Sequence, residues 1–140
     1  MTPELRNALR SSLGADVEKI RQLSGGDIND AFEVDLSGGR RVFVKTHPRP
    51  PLGMFTAEAR GLEWLDEAQA LRIPRVLAVS DAKPAFLVLE LLTPGTRQRD
   101  FDEVLGRSLA GLHRFGAPGF GLDEDNFIGR LPQSNRPTDD

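Results

Sequence analysis

The chain has 140 residues, 39% of them hydrophobic, which suits one domain with a modest core. A formal charge of -3, with arginines scattered among acids, provides no broad basic field for nucleic acid, and no apolar run approaches the roughly 20 residues of a membrane-spanning helix. The absence of cysteine excludes disulfides, thiolate metal sites and a cysteine nucleophile, and with no secretory pattern at the N-terminus it predicts a cytoplasmic protein without nucleic-acid or membrane partners.

Residues Pro3 to Leu13 read as a helix: Thr2 can cap it, Pro3 takes the first position, and Leu5, Leu9 and Leu13 stack at four-residue spacing before Gly14. Val17 to Leu23, Ala31 to Leu36 and Arg41 to Lys45 read as an antiparallel meander, turning at Gly25-Gly26 and at Ser37-Gly38-Gly39. Alternation places Val42 and Val44 on one face of the third strand, and Arg41, Phe43 and Lys45 on the other. The prolines of His47-Pro-Arg-Pro-Pro51 make a loop. From Met54 to Leu71 the pattern is helical, with an apolar stripe of Phe55, Leu62 and Leu65 and with Glu58 at the remaining position of that stripe. A carboxylate buried without a partner costs several kcal/mol, so Glu58 is expected to meet a cation, whereas Glu63, Asp66 and Glu67 are solvated charges.

Ile73 to Val79 and Ala85 to Leu92 are two further strands, joined by a turn from Ser80 to Pro84, which completes a five-stranded sheet. The breaker-rich Thr93-Pro-Gly-Thr-Arg-Gln98 is a linker. A helix follows with the stripe Phe101, Leu105, Leu109 and Leu112, and Asp100 or Asp102 is available as its cap. The tail from Leu131 to Asp140 reads as loose.

The chemistry lies in an order of parts: strand, glycine turn, strand, turn, strand ending in lysine, helix with a glutamate on its packed face. Backbone N–H groups across Gly25, Gly26, Asp27, Ile28 and Asn29 can cover nucleotide phosphates, Lys45 can supply a point charge to their oxygens, and Glu58 can hold that ammonium. Singly, each has a plainer meaning: a hairpin turn, an edge-strand lysine, a helix charge that reaches solvent. Phe43, on the Lys45 face, can contact a base or pack in the core. The run before the linker resembles the hinge on which adenine sits, with the Glu90 carbonyl and Leu92 amide as the reading groups. His47 and His113 suggest no metal site, and Asp123-Glu-Asp125 reads as an acidic surface turn.

Ser-Gly-Gly-Asp-Ile-Asn-Asp-Ala-Phe32, Val-Phe-Val-Lys45, Ala-Glu58-Ala-Arg-Gly-Leu-Glu-Trp-Leu65, Leu-Gly-Arg-Ser-Leu-Ala-Gly-Leu-His113 and Asp-Asn-Phe-Ile-Gly-Arg-Leu-Pro-Gln133-Ser-Asn135 together resemble the fructosamine kinases (ketosamine-3-kinases). The resemblance implies an α+β, protein-kinase-like N-terminal lobe over residues 1–92, similar in fold to aminoglycoside phosphotransferases, with a hinge over 93–98 and the first helix and loop of a second, helical lobe over 99–140. It implies transfer of the ATP γ-phosphoryl group to a sugar hydroxyl of a ketosamine. Lys45 would then hold the α/β-phosphates, Glu58 would orient Lys45, Gly25 to Asn29 would cover the phosphates, and Mg2+ would be held from the second lobe. No His-Gly-Asp catalytic segment occurs in this sequence, so the chain alone is expected to be inactive. Asp27 stands about where some relatives carry a cysteine, so thiol regulation is not expected. Without a covering lobe, the Phe101, Leu105, Leu109, Leu112 face is expected to self-associate. The alternatives are a small-molecule kinase of the same fold acting on aminoglycosides or choline, and a non-catalytic nucleotide-binding or interaction module.

Overall fold

A computed structural model describes residues 1–24, 28–117 and 119–138. The elements run α1 (Pro3–Leu13), β1 (Val17–Leu23), β2 (Asp30–Leu36), β3 (Arg41–Thr46), α2 (Met54–Glu67), β4 (Val76–Ser80), β5 (Phe86–Glu90), α3 (Phe101–Phe115), β6 (Asn126–Ile128) and β7 (Leu131–Gln133). Five strands form one antiparallel sheet in the order β1-β2-β3-β5-β4. The meander β1 to β3 is as expected, and Gly38 and Gly39 both take positive φ in the turn between β2 and β3. The expected α+β architecture stands. The β5 strand inserts between β3 and β4, which puts its apolar run at the sheet's interior.

The sheet has a core on each face. On one face Leu5 and Leu9 of α1 pack against Val34, Leu36, Val42, Val44, Phe86 and Val88. On the other, Phe55 and Ala59 of α2 pack against Ala85, Leu87 and Leu89, with Phe43 alongside. Successive residues of β5 therefore serve opposite cores, which is why Phe86 to Leu89 are buried without alternation. In β3 the alternation survives: Val42 and Val44 are buried on the α1 side, while Phe43 faces α2.

Several boundaries differ from the sequence-based expectation. The second helix ends at Glu67 and not at Leu71. Ala68 to Leu71 have adequate helix propensity, but Gln69 takes a positive φ, and its backbone N and Nε2 both donate to the Asp66 carbonyl, at 3.0 and 2.6 Å. The turn brings Arg72 and Arg75 to the end of β5, where both ion-pair with Glu90. The fourth strand begins at Val76 in place of Ile73, after a proline that offers no donor, and the fifth ends at Glu90 before Leu92. Asp100 is the N-cap residue of α3 but makes no side-chain capping bond, and Asp102 is engaged by Arg97 at 2.7 Å.

The loose tail is the largest correction. Residues 126–133 form the β6–β7 hairpin, and Phe120 bridges to Thr138. Three-residue strands lie below the length at which alternation can be read, so periodicity did not reveal them.

Candidate functional site

Lys45 sits near the end of β3, opposite Ala31 on β2 and Leu87 on β5. Being one residue beyond Val44, it leaves the sheet on the α2 face. Glu58 lies one turn along α2 from the fully buried Phe55. The two meet squarely: Lys45 Nζ donates to both carboxylate oxygens of Glu58, each at 2.8 Å. With side chains 27% and 30% exposed, the pair is shielded enough for its attraction to exceed that of a surface pair, yet open on one side. Glu58 thus finds the cation that its place on the packed face demanded.

The N-terminus of α2 is fixed from a distance. Gly53 precedes it and supplies no side-chain cap, but Asp81, from the turn between β4 and β5, accepts from Phe55 N at 3.1 Å and Thr56 N at 3.3 Å, and also from the Thr56 hydroxyl. An acid at this end also complements the helix dipole. Asp81 was not legible as a cap, because it lies 25 and 26 residues from the amides it satisfies.

A cavity of about 320 Å³ opens beside the pair, lined by Ile28 and Asn29 at the entry to β2, by Lys45 and Glu58, and by Asn126 and Phe127 of the terminal hairpin. Sequence reasoning brought the first four together and missed the last two. Gly25, Gly26 and Asp27, expected to cover phosphates, lie outside the described residues. At the expected hinge, Glu90 closes β5 with its carboxylate held by Arg72 and Arg75, and Leu92 lies 41% exposed in the segment beyond. Phe43 packs beside the α2 core, the plainer of its two readings.

His47 is buried, and its Nδ1 accepts from Arg49 N at 3.0 Å, so it organises the proline loop. In the acidic turn, Glu124 ion-pairs with Arg60 of α2, and Asp125 Oδ1 accepts from Asn135 N at 2.9 Å. Among the described residues no cluster of three or more His, Asp or Glu could hold a metal ion, and no helix is long and apolar enough to cross a membrane.

The model of the fructosamine kinase family matches residues 1–140, the whole chain. The chain belongs to the fructosamine kinase family. It is 40% identical over 124 residues to a probable ketoamine kinase of Klebsiella aerogenes, covering 87% of this chain and 43% of that one. It is 33% identical over 131 residues to the chloroplastic protein-ribulosamine 3-kinase of Arabidopsis thaliana, covering 91% and 40%. Among solved structures, a protein of Thermobifida fusca provisionally assigned as a fructosamine-3-kinase superposes with a TM-score of 0.85 at 28% identity, over 99% of this chain and 48% of the other. The chain therefore has the family's kinase-like fold and spans less than half the length of the relatives it matches.

Proposed function

We propose that this chain is the nucleotide-holding part of an ATP-dependent phosphotransferase that acts on a sugar hydroxyl of ketosamines. The observation that carries the reading is the bidentate Lys45–Glu58 pair, open to a cavity on one side. An ammonium held by a carboxylate has a fixed position and one N–H left over for a third acceptor, which a phosphate oxygen supplies. Lys45 would hold the α/β-phosphates, Glu58 would keep it from rotating away, and the backbone of Gly25 to Asn29 would cover the polyphosphate. Glu90 and Leu92 would present main-chain groups to adenine at the hinge between residues 1–92 and 99–140. The ketosamine acceptor is supported by relatives that are ketoamine and ribulosamine kinases.

Bound Mg2+ would neutralise charge on the transferring phosphoryl group. Because the sequence holds no His-Gly-Asp segment to orient the acceptor hydroxyl, the chain by itself is expected to bind nucleotide without transferring phosphate. Consumption of ATP fits a cytoplasmic setting.

The test is calorimetric titration of Mg-ATP into the wild type and Lys45→Met, with circular dichroism as a check on folding. Loss of a charge-assisted hydrogen bond of about 1.5–3 kcal/mol should raise Kd roughly 10- to 100-fold. Equal binding by both would remove the phosphate site. The acceptor is tested by ATP-dependent phosphorylation of fructoselysine with the protein extended to the length of its relatives.

A further inference from the structure

The β6–β7 hairpin is a wall of the Lys45–Glu58 cavity. Its first strand packs on α2, and Asn126, Phe127 and Gly129 line the same space as Asn29 and Lys45. The hairpin is held in place at both ends. At its base Arg60 of α2 pairs with Glu124, and Asn135 Nδ2 donates to the Glu124 carbonyl at 3.1 Å. At its tip Gly129 has φ +66°, and a Cβ there would come within 2.8 Å of Ile28 Cδ1, so the hairpin approaches the segment entering β2 as closely as a glycine allows. Asn126 and Asn29 are thus brought to one cavity by two separate pieces of chain.

The two amides share an orientation. Each turns its side-chain oxygen inward, where it is shielded from solvent, so the polar side-chain atom that each can present to the cavity is Nδ2. That nitrogen donates two protons and has no acceptor among the described residues. Lys45 directs two of its N–H groups to the oxygens of Glu58 and has a third left over. Lys45 and Glu58 are the only charged side chains among the described residues of the lining, and each neutralises the other. What the cavity offers a ligand from its side chains is therefore N–H donors, and the ligand that matches them carries several acceptor oxygens, as a phosphate does. Asn126 also borders a larger cavity of about 650 Å³, but that one is lined by Glu63, Glu67, Asp123 and Asp125 and repels an anion. A phosphate meets Asn126 on the Lys45 side.

We propose that Asn126, together with Asn29, donates its side-chain N–H groups to phosphate oxygens of the nucleotide that Lys45 holds, and that the terminal hairpin is therefore a wall of the phosphate site. This rests on the nucleotide reading above and extends it to a segment outside the glycine turn and the sheet. Neutral amides suit the place, because they donate to phosphate without competing with Lys45 for the Glu58 carboxylate as a further cation would.

The experiment compares Kd for Mg-ATP, by calorimetry, with Kd for adenosine, by NMR titration, on wild type, Asn126→Leu, Asn126→Asp and Lys45→Met. The readout is the ratio of the two constants, which a general loss of folded protein does not move. Asn126→Leu removes a donor to a charged group and is expected to weaken Mg-ATP about tenfold while leaving adenosine unchanged. Asn126→Asp has nearly the same shape but sets a negative charge beside the phosphates, so it is expected to weaken Mg-ATP further than Asn126→Leu does. If Asn126→Leu does not fold, Asn126→Ala provides the same comparison. An unchanged ratio in the apolar variant, an equal weakening of both ligands, or an aspartate variant that binds Mg-ATP as well as wild type would overturn the assignment of Asn126. An unchanged ratio in Lys45→Met would instead overturn the nucleotide reading, so the two failures are distinguishable.

Discussion

At the scale of single residues, the site depends on side chains that leave their elements in the right direction. Lys45 and Glu58 were legible from pattern because strand alternation and the helical stripe each specify a face, and both faces proved to be the same interface. Asn126 was not legible: it stands in a three-residue strand near the end of the chain, and only the folded hairpin carries it to Lys45. Glu33 shows the same dependence on partners. The Arg21 guanidinium holds its carboxyl below the usual value of 4.5, against the opposing effect of burial, and Arg41 adds to the lowering at 3.2 Å. A carboxyl depressed in the folded state contributes stability above its unfolded value, and that contribution is lost as pH falls through its folded value. The difference in urea midpoint between wild type and Glu33→Gln should therefore be largest at neutral pH and should shrink below about pH 4.5. A constant difference from pH 7 to pH 3 would mean that the ion pairs contribute nothing.

Among the elements, α2 matters most, because it carries Glu58 and its position decides whether the ion pair forms. Its outer end is held by Asp81 and its inner face by Phe55 and Ala59. Asp81→Ala removes the acceptor of two backbone amides, so it should destabilise the chain by about 0.5–2 kcal/mol in urea unfolding. It should also weaken Mg-ATP binding by loosening the helix that carries Glu58, an effect that the remote cap variant Thr2→Ala, on α1, should not share. Where the helix ends was a tertiary matter as well. Local propensity favours continuing past Glu67, but the chain turns at Gln69 to deliver Arg72 and Arg75 to Glu90. Sequence pattern found the existence and type of every element longer than three residues, and it erred at ends governed by distant partners.

For the whole molecule, two cores share one sheet, and β5 belongs to both. Leu36→Ala, at a fully buried position of the α1-side core, should cost about 2–5 kcal/mol in denaturant unfolding. On α3 nothing is buried: Phe101, Leu105 and Leu109 are between 37% and 44% exposed on one stripe. An apolar face of this kind predicts association of the isolated chain. The weight-average sedimentation coefficient should rise with concentration, and Leu105→Asp with Leu109→Asp should abolish the rise; a concentration-independent monomer would refute it. The sequence by itself determined the α+β class, the faces of β3 and α2, the need of Glu58 for a cation, and the apolar stripe of α3. All of these follow from short-range periodicity, which one sequence displays in full. Only the tertiary structure decided that β5 lies between β3 and β4, that Asp81 caps α2, and that the last strands return to wall the Lys45 cavity. These contacts join residues far apart in the chain, and no local pattern encodes which distant amide, carboxylate or hairpin a given group will meet.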